Sequence, residues 1–338
     1  MRNREAGASL LKVGNPLARQ EWNHVPEALP LGVNPLWQWP PRPVQVFRWY
    51  WDSWFPLTIN LGIVGLAFAA YLWTGPSLTE AARPGWWIGE IFLRNLLLLA
   101  VLAQGLHWVF HGGQLQGGAH KYDPRPFPRK GRVFSFGDQL RDNMFWTLAS
   151  GVTIWSAYEV LIWWSMAHGY APTWDWSDGW FWFLAVFFLI PVWESFYFYW
   201  IHRLLHWGPF YRFHALHHRN TDIGPWSGLS MHPFEHMLYF GTALIHFVVP
   251  THPVHMICHL MFYALYAVTT HTGFEGIWAE GRKRLHLGNF HHQMHHRYFE
   301  VNYGTLEVPW DKLFGTFHDG TEEAKTRMKE RMRMRAQG

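Results

Sequence analysis

Five of the chain's 23 histidines fall in one stretch, WIHRLLHWGPFYRFHALHH at residues 200–218, and it narrows the possible folds further than any other feature. His202 and His206 stand four apart. On a helix such residues lie on one face a turn apart, so two imidazoles are presented to a single point. A break is expected at Gly208-Pro209, where proline lacks an N–H and ends one helix before another. Beyond it, His214 and His217 share a face of a second short helix with His218 alongside. Later, in NFHHQMHHRYF, His292, His295 and His296 repeat the HxxHH spacing and His291 adds one more ring. The repetition argues for a built site.

Neutral imidazole binds zinc, copper, iron and nickel, so the residue type does not name a metal. The number of rings is more informative. Eight or nine imidazoles exceed what one ion accepts and fit two ions sharing a site. A zinc-protease motif HExxH needs glutamate after the first histidine, and Arg203 stands there. Carboxylate di-iron bundles use paired ExxH motifs on facing helices. The single ExxH here, Glu21 to His24, is unpaired and lies in the N-terminal segment. What remains is a dinuclear site with all or nearly all histidine ligands.

HRLLH, FHALHH, HTGFE from His271, HHQMHH and WDKLFGT from Trp310, in that order, resemble the fatty acid hydroxylase and sterol desaturase superfamily of membrane di-iron enzymes. MHPFEH at residues 231–236 also looks like that family's HP-x-E segment, and the resemblance spans roughly 193–317. It implies two iron ions, molecular oxygen as co-substrate and two electrons from an external donor. The reaction it implies is hydroxylation or desaturation of a lipid or sterol-like substrate. The implied metal ligands are His202, His206, His214, His217, His218, His271, His292, His295 and His296. Glu194, His232 and His291 are candidates for supporting them.

The composition suits this. With 24 tryptophans, 49% hydrophobic and only 15% charged residues, the chain reads as a membrane protein, because tryptophan favours the water–bilayer interface. The mean hydropathy of −0.12 is pulled down by histidines and polar ends. Cys258 is the sole cysteine, which excludes an internal disulfide and any cysteine-based iron–sulfur or zinc site within one chain. No Gly-rich nucleotide fingerprint is present, so no flavin or nicotinamide domain is fused on. Electrons must therefore arrive from outside, from a ferredoxin, a cytochrome b5-type protein or a reductase.

The expected fold is all-α: a multi-span integral membrane helical bundle with a cytoplasmic helical cap that carries the histidine-rich dinuclear site. Residues 1–54 form a cytoplasmic or interfacial segment, either an aromatic belt or an irregular cap, and MRNREAGASLLKVGN lacks the apolar core of a cleaved signal peptide. Four transmembrane helices are expected within 55–200, at 55–73, 86–110, 144–166 and 179–202, the last running into the histidines. The loop between the second and third carries Lys121, Arg125, Arg129, Lys130, Arg132 and Arg141, which places it in the cytoplasm. Four crossings return the catalytic region, 201–236, to that side. Residues 237–270 form a hairpin turning at Pro250 and Pro253, either crossing or re-entrant, and both choices bring the second histidine region, 271–318, beside the first. The tail, 319–338, is a short basic helix or disordered. Topology accounts for the basic residues, so no nucleic-acid partner is expected, and both termini lie in the cytoplasm.

The remaining HxxxH pairs, His107/His111, His232/His236 and His255/His259, read as histidines bonded to backbone carbonyls or interfacial water; His232 alone also matches a family segment. Glu194, inside the fourth span, either bonds a ligand imidazole or pairs with Arg203 or Arg212, since a carboxylate in a membrane is costly and needs a reason. Arg94 is expected to snorkel to the interface, and Glu159 to face other helices or the outer interface. Trp193, Phe196 and Tyr197 either wall a substrate groove or face lipid. Two rivals remain: a bis-histidine haem electron-transfer protein using, for example, His107 and His246, and a zinc-dependent hydrolase.

Overall fold

The computed structural model describes residues 22–53, 59–127 and 129–337. Glu21 and the basic residues Arg2, Arg4, Lys12 and Arg19 lie outside them, as does the start of the first expected span. Two short helices come first, α1 (Pro43–Ser53) and α2 (Ile59–Thr74), followed by α3 (Trp86–His107), which continues through a π-helical turn at Trp108–Gly112. Next come α4 (Gln139–Trp146), a π-helical stretch at Thr147–Val152 and α5 (Thr153–Ala167), end to end as one rod. The rod begins earlier than expected because Asp142, which looks too polar for it, is buried against Arg219 and accepts from the Ser135 N–H at 2.9 Å. Asp138 caps its first turn by accepting from the Arg141 N–H.

Helix α6 (Trp180–Leu205) is the longest, about 39 Å at 1.5 Å per residue. It is followed at once by α7 (Gly208–His218), with proline at its second position, where a missing N–H costs nothing. Then come α8 (Pro233–Phe240), a 3₁₀ stretch at Gly241–Phe247, and α9 (Pro253–Thr270). The chain closes with α10 (Phe290–Tyr298), a single turn at Trp310–Leu313 and the charged α11 (Glu322–Gln337). Two helices, Trp86–Gly112 and Trp180–Leu205, are long and apolar enough to cross a membrane, and a shorter apolar helix covers Asn60–Thr74. Their outer faces are as apolar as their inner ones. Leu93, Leu97 and Val101 of α3 and Phe181, Phe188 and Leu189 of α6 are exposed, which in water would be a liability.

The fold is not purely α. Strands β1 (Gly276–Ala279) and β2 (Arg282–His286) pair antiparallel just after His271. Glu280 and Gly281 join them with φ of +54° and +70°, the two positive values that a type I′ hairpin turn requires. The alternation of RKRLH matches an exposed strand, a signal hidden by its high charge.

The segment at 237–270 doubles back at its prolines: the end of α8 and the 3₁₀ stretch lead up to Pro250, and α9 returns over 18 residues, about 27 Å. Its turn is held at the start of α6: Trp182 donates to the Pro250 carbonyl at 2.9 Å, and His255 bonds the Phe183 carbonyl at 2.8 Å. Its other end delivers His271. Helix α9 is buried almost throughout, and Gly228 lets the preceding turn approach it closely, since a Cβ there would lie 2.4 Å from the Ala267 carbonyl oxygen.

Arg94 does not snorkel. It donates to Glu159 Oε1 at 2.6 Å, to Asn95 Oδ1 at 2.9 Å and to Thr74 Oγ1 at 3.0 Å, with Glu159 fully buried. A carboxylate facing inward from the adjacent rod makes pairing cheaper than stretching to water, so the two charges cross-link α3 and α5. Glu159→Ala, which strands the arginine, is expected to cost about 3–5 kcal/mol. The double change Arg94→Met with Glu159→Leu should recover most of it, as read by thermal unfolding in detergent.

Candidate metal centre

Four chain segments bring nine imidazoles to the end of α6. His202 is in the last turn of α6 and His206 directly follows it; α7 supplies His214, His217 and His218; His271 ends α9; α10 supplies His292, His295 and His296. All are buried except the partly covered His206. They divide into two groups: His202, His206, His214, His218 and His295, and His217, His271, His292 and His296. Each HxxHH motif is split the same way. Its i,i+4 pair, His214/His218 or His292/His296, goes to one group, and the middle histidine, His217 or His295, crosses to the other. The two helices are thereby interlocked through both groups.

Within each group the Nε2 atoms converge. His202 to His214 is 3.1 Å, His206 to His218 3.0 Å, His206 to His295 3.2 Å and His218 to His295 3.0 Å. In the second group His271 to His292 is 3.1 Å, His292 to His296 3.1 Å and His271 to His296 3.3 Å. Donors about 2.1 Å from one first-row cation, at near right angles, stand about 3 Å apart.

The opposite nitrogens fix which way the rings are protonated. His202 Nδ1–H donates to the Tyr303 carbonyl at 2.6 Å, His271 Nδ1–H to Ala267 at 2.7 Å and His295 Nδ1–H to Val301 at 2.6 Å. A carbonyl can only accept, so these rings carry their proton on Nδ1 and turn a bare Nε2 lone pair inward. His214 Nδ1 meets the buried Glu235 carboxylate at 2.6 Å. Burial first, and then repulsion between rings, holds His214, His217, His218, His292, His295 and His296 well below the usual imidazole value and brings His271 down to about 4. Buried lone pairs facing one another at 3 Å repel unless a cation lies between them. The donor set therefore fits two metal ions.

Two supports were not read from the sequence. Glu235 occupies the role considered for His232, whose Nδ1 instead accepts from the Phe234 N–H at 3.1 Å and caps α8. Asp311, inside WDKLFGT, accepts from the N–H groups of Tyr303 and Gly304 at 2.9 and 2.8 Å and from Thr316 Oγ1 at 2.6 Å. It thus fixes the loop whose Val301 and Tyr303 carbonyls orient two histidines. Asn302, at φ +57°, makes the turn between them. His291 touches no ligand ring; its Nε2 faces Asp311 at 3.8 Å.

Several other histidines have ordinary partners. His111 bonds the Thr272 carbonyl at 2.9 Å, and His236 lies between Ser150 Oγ and the Leu229 carbonyl. His246 engages Thr251 and His259 with its two nitrogens, leaving neither for an axial haem bond. Glu194 pairs with neither Arg203, which bonds Tyr199, nor Arg212, which lies over Phe213. An apolar cavity between α6 and α9 opens onto both groups, reaching His202, His214, His217, His271 and His292. Its wall on α6 is Phe198, Ile201 and Leu205, whereas Trp193 and Phe196 line a separate, lateral groove and Tyr197 bonds the Leu238 carbonyl.

Two buried histidine groups facing an apolar cavity form, in a largely helical protein, an arrangement that fits two metal ions beside a hydrophobic ligand. Residues 184–316, which hold all nine of these histidines, match the family described as Fatty acid hydroxylase. The chain is 32% identical over 162 residues to Methylsterol monooxygenase erg25A of Aspergillus fumigatus, a match covering 45% of this chain and 52% of that protein. It is 33% identical over 150 residues to the Cholesterol 25-hydroxylase-like protein of Danio rerio, covering 40% and 56%. With the Delta(7)-sterol-C5(6)-desaturase of Nicotiana tabacum it shares 30% over 149 residues, covering 43% and 53%. The chain spans about half the length of these relatives. No solved structure matches.

Glu235→Leu removes the acceptor that orients His214, and a loss of about 10- to 100-fold in metal affinity is expected in chelator competition. Glu235→Gln, which keeps an acceptor oxygen, should lose less.

Proposed function

We propose that this protein is a membrane-embedded, O2-dependent non-haem di-iron oxidase that hydroxylates or desaturates an unactivated C–H position of a lipid or sterol-like substrate. The observation that carries the reading is the pair of buried histidine groups with inward-turned Nε2 atoms, both facing one apolar cavity. His202, His206, His214, His218 and His295 would hold one iron, and His217, His271, His292 and His296 the other. The names of the relatives, sterol monooxygenases, hydroxylases and desaturases, support oxidation of a sterol or related lipid.

The bound irons would supply the redox chemistry that inserts or removes atoms at an unactivated carbon, using O2 and two electrons from an external donor such as a ferredoxin, cytochrome b5-type protein or reductase. The chain's residues do the rest. Glu235 and the carbonyls of Tyr303, Val301 and Ala267 keep four ligands in one tautomer. Phe198, Ile201, Leu205 and Met231 exclude water and seat a hydrocarbon against the site.

The topology belongs to the same proposal. Residues 1–54 lie at the cytoplasmic interface, four spans occupy 55–200, and the hairpin 237–270 adds two crossings. The histidine regions 201–236 and 271–318 and the tail 319–338 lie on the cytoplasmic side, where the basic loop between α3 and α4 packs beneath them. Lys121 of that loop pairs with Asp222 at 3.0 Å, and Gln139 holds Asn220 and the Asp222 carbonyl, which clamps the end of α7.

The test compares lipids extracted from cells with and without the protein. A species heavier by one oxygen, or lighter by two hydrogens, is expected only with the protein and only in air. A lipid that is instead cleaved by addition of the elements of water, equally with and without air, would mark a hydrolase.

A further inference from the structure

In the cavity that runs from the metal groups along α6, the far end holds one polar group that nothing in the fold uses. Glu194 is 4% exposed and lines the cavity, yet neither carboxylate oxygen has a hydrogen-bond partner among the described residues. The nearest candidate, His259 Nε2 at 3.5 Å, falls outside hydrogen-bonding geometry. That ring is already committed to Thr242 Oγ1 at 3.1 Å and to His246 Nε2 at 3.0 Å. Two other polar side chains at this end are satisfied within the fold: Thr305 donates to Ser195 Oγ at 2.9 Å, and Tyr239 to the Tyr263 carbonyl at 2.9 Å.

A buried carboxyl without partners is rare in folded proteins, and rarer on an apolar helix, so its retention calls for a ligand that completes it. At least one carboxyl oxygen accepts whether the group is ionised or neutral, so the missing partner must include a donor. No lysine or arginine lines the cavity. A carboxylate or phosphate head group would therefore meet Glu194, and Glu307 beside it, with nothing to neutralise it. From Glu194 to His202 is eight residues, a rise of about 12 Å.

Resting on the oxidase reading, we propose that Glu194 receives the head group of the substrate, and that this head group is a hydrogen-bond donor, a hydroxyl or an amine. The hydrocarbon body then reaches down the cavity so that a carbon about 12 Å from the donor lies at the metal site. Glu194 is thus a specificity residue that sets which carbon is presented. Lipids with an anionic end are refused.

The experiment uses the full iron-loaded chain in nanodiscs and equilibrium binding of labelled 1-hexadecanol, hexadecylamine, methyl hexadecyl ether and palmitate, alongside cholesterol and its methyl ether. Wild type should hold an alcohol or the amine at least about 10-fold more tightly than the matching ether or palmitate. Whichever of alcohol and amine binds better names the source of the donor. In Glu194→Leu that ratio should fall to near one, with iron content unchanged. Glu194→Gln, which retains an acceptor and guards against a folding defect, should keep part of the preference. Equal binding of alcohol, amine and ether by wild type overturns the proposal, as does a preference that survives Glu194→Leu or a loss of iron in that variant. Donor preference in a wild-type protein that binds no iron would instead sink the oxidase reading and leave the head-group role standing.

Discussion

Everything in this structure answers to the gathering of nine imidazole rings into two groups, eight of them with an Nε2 about 3 Å from a neighbour's and all but the partly covered His206 buried. Three of those rings are bound through Nδ1 to backbone carbonyls, which permit only one tautomer, so their inner nitrogens carry lone pairs. Such a cage is electrostatically hostile to itself. The scaffold holds four of the rings from behind, at His202, His214, His271 and His295, and positive charge placed between the nitrogens would turn the repulsion into coordination.

The scaffold achieves this by making the site the meeting place of its stiffest parts. Helix α6 runs unbroken from the apolar layer to His202, and the buried α9 runs alongside it to His271, both pinned at their far ends through Trp182, Phe183 and the Pro250 turn. The split of each HxxHH motif between the two groups means that neither α7 nor α10 can shift without disturbing both. Asp311 and Asn302 fix the connecting loop, so its carbonyls act as rigid acceptors.

Much of this was legible in the sequence because helical periodicity brings i,i+4 histidines together without help from the rest of the fold. His202/His206 and the two HxxHH runs could be read that way. His271 could not, since it has no histidine a turn away, and only its place in HTGFE singled it out. The division into five and four was hidden because it depends on how α7 and α10 face each other, which no local spacing encodes. Glu235 and Asp311 lay in quoted motifs without a role, for their partners are a ring and a backbone loop far away in the chain. Arg94 was misread because its counter-ion, Glu159, comes from another helix. The strand hairpin escaped because a charged five-residue strand has little apolar alternation to show.

The most direct measurement is anomalous scattering at the iron edge from crystals of the purified protein. Two peaks are expected, one ringed by His202, His206, His214, His218 and His295 and the other by His217, His271, His292 and His296. A single peak, or none at the iron edge, would contradict the account.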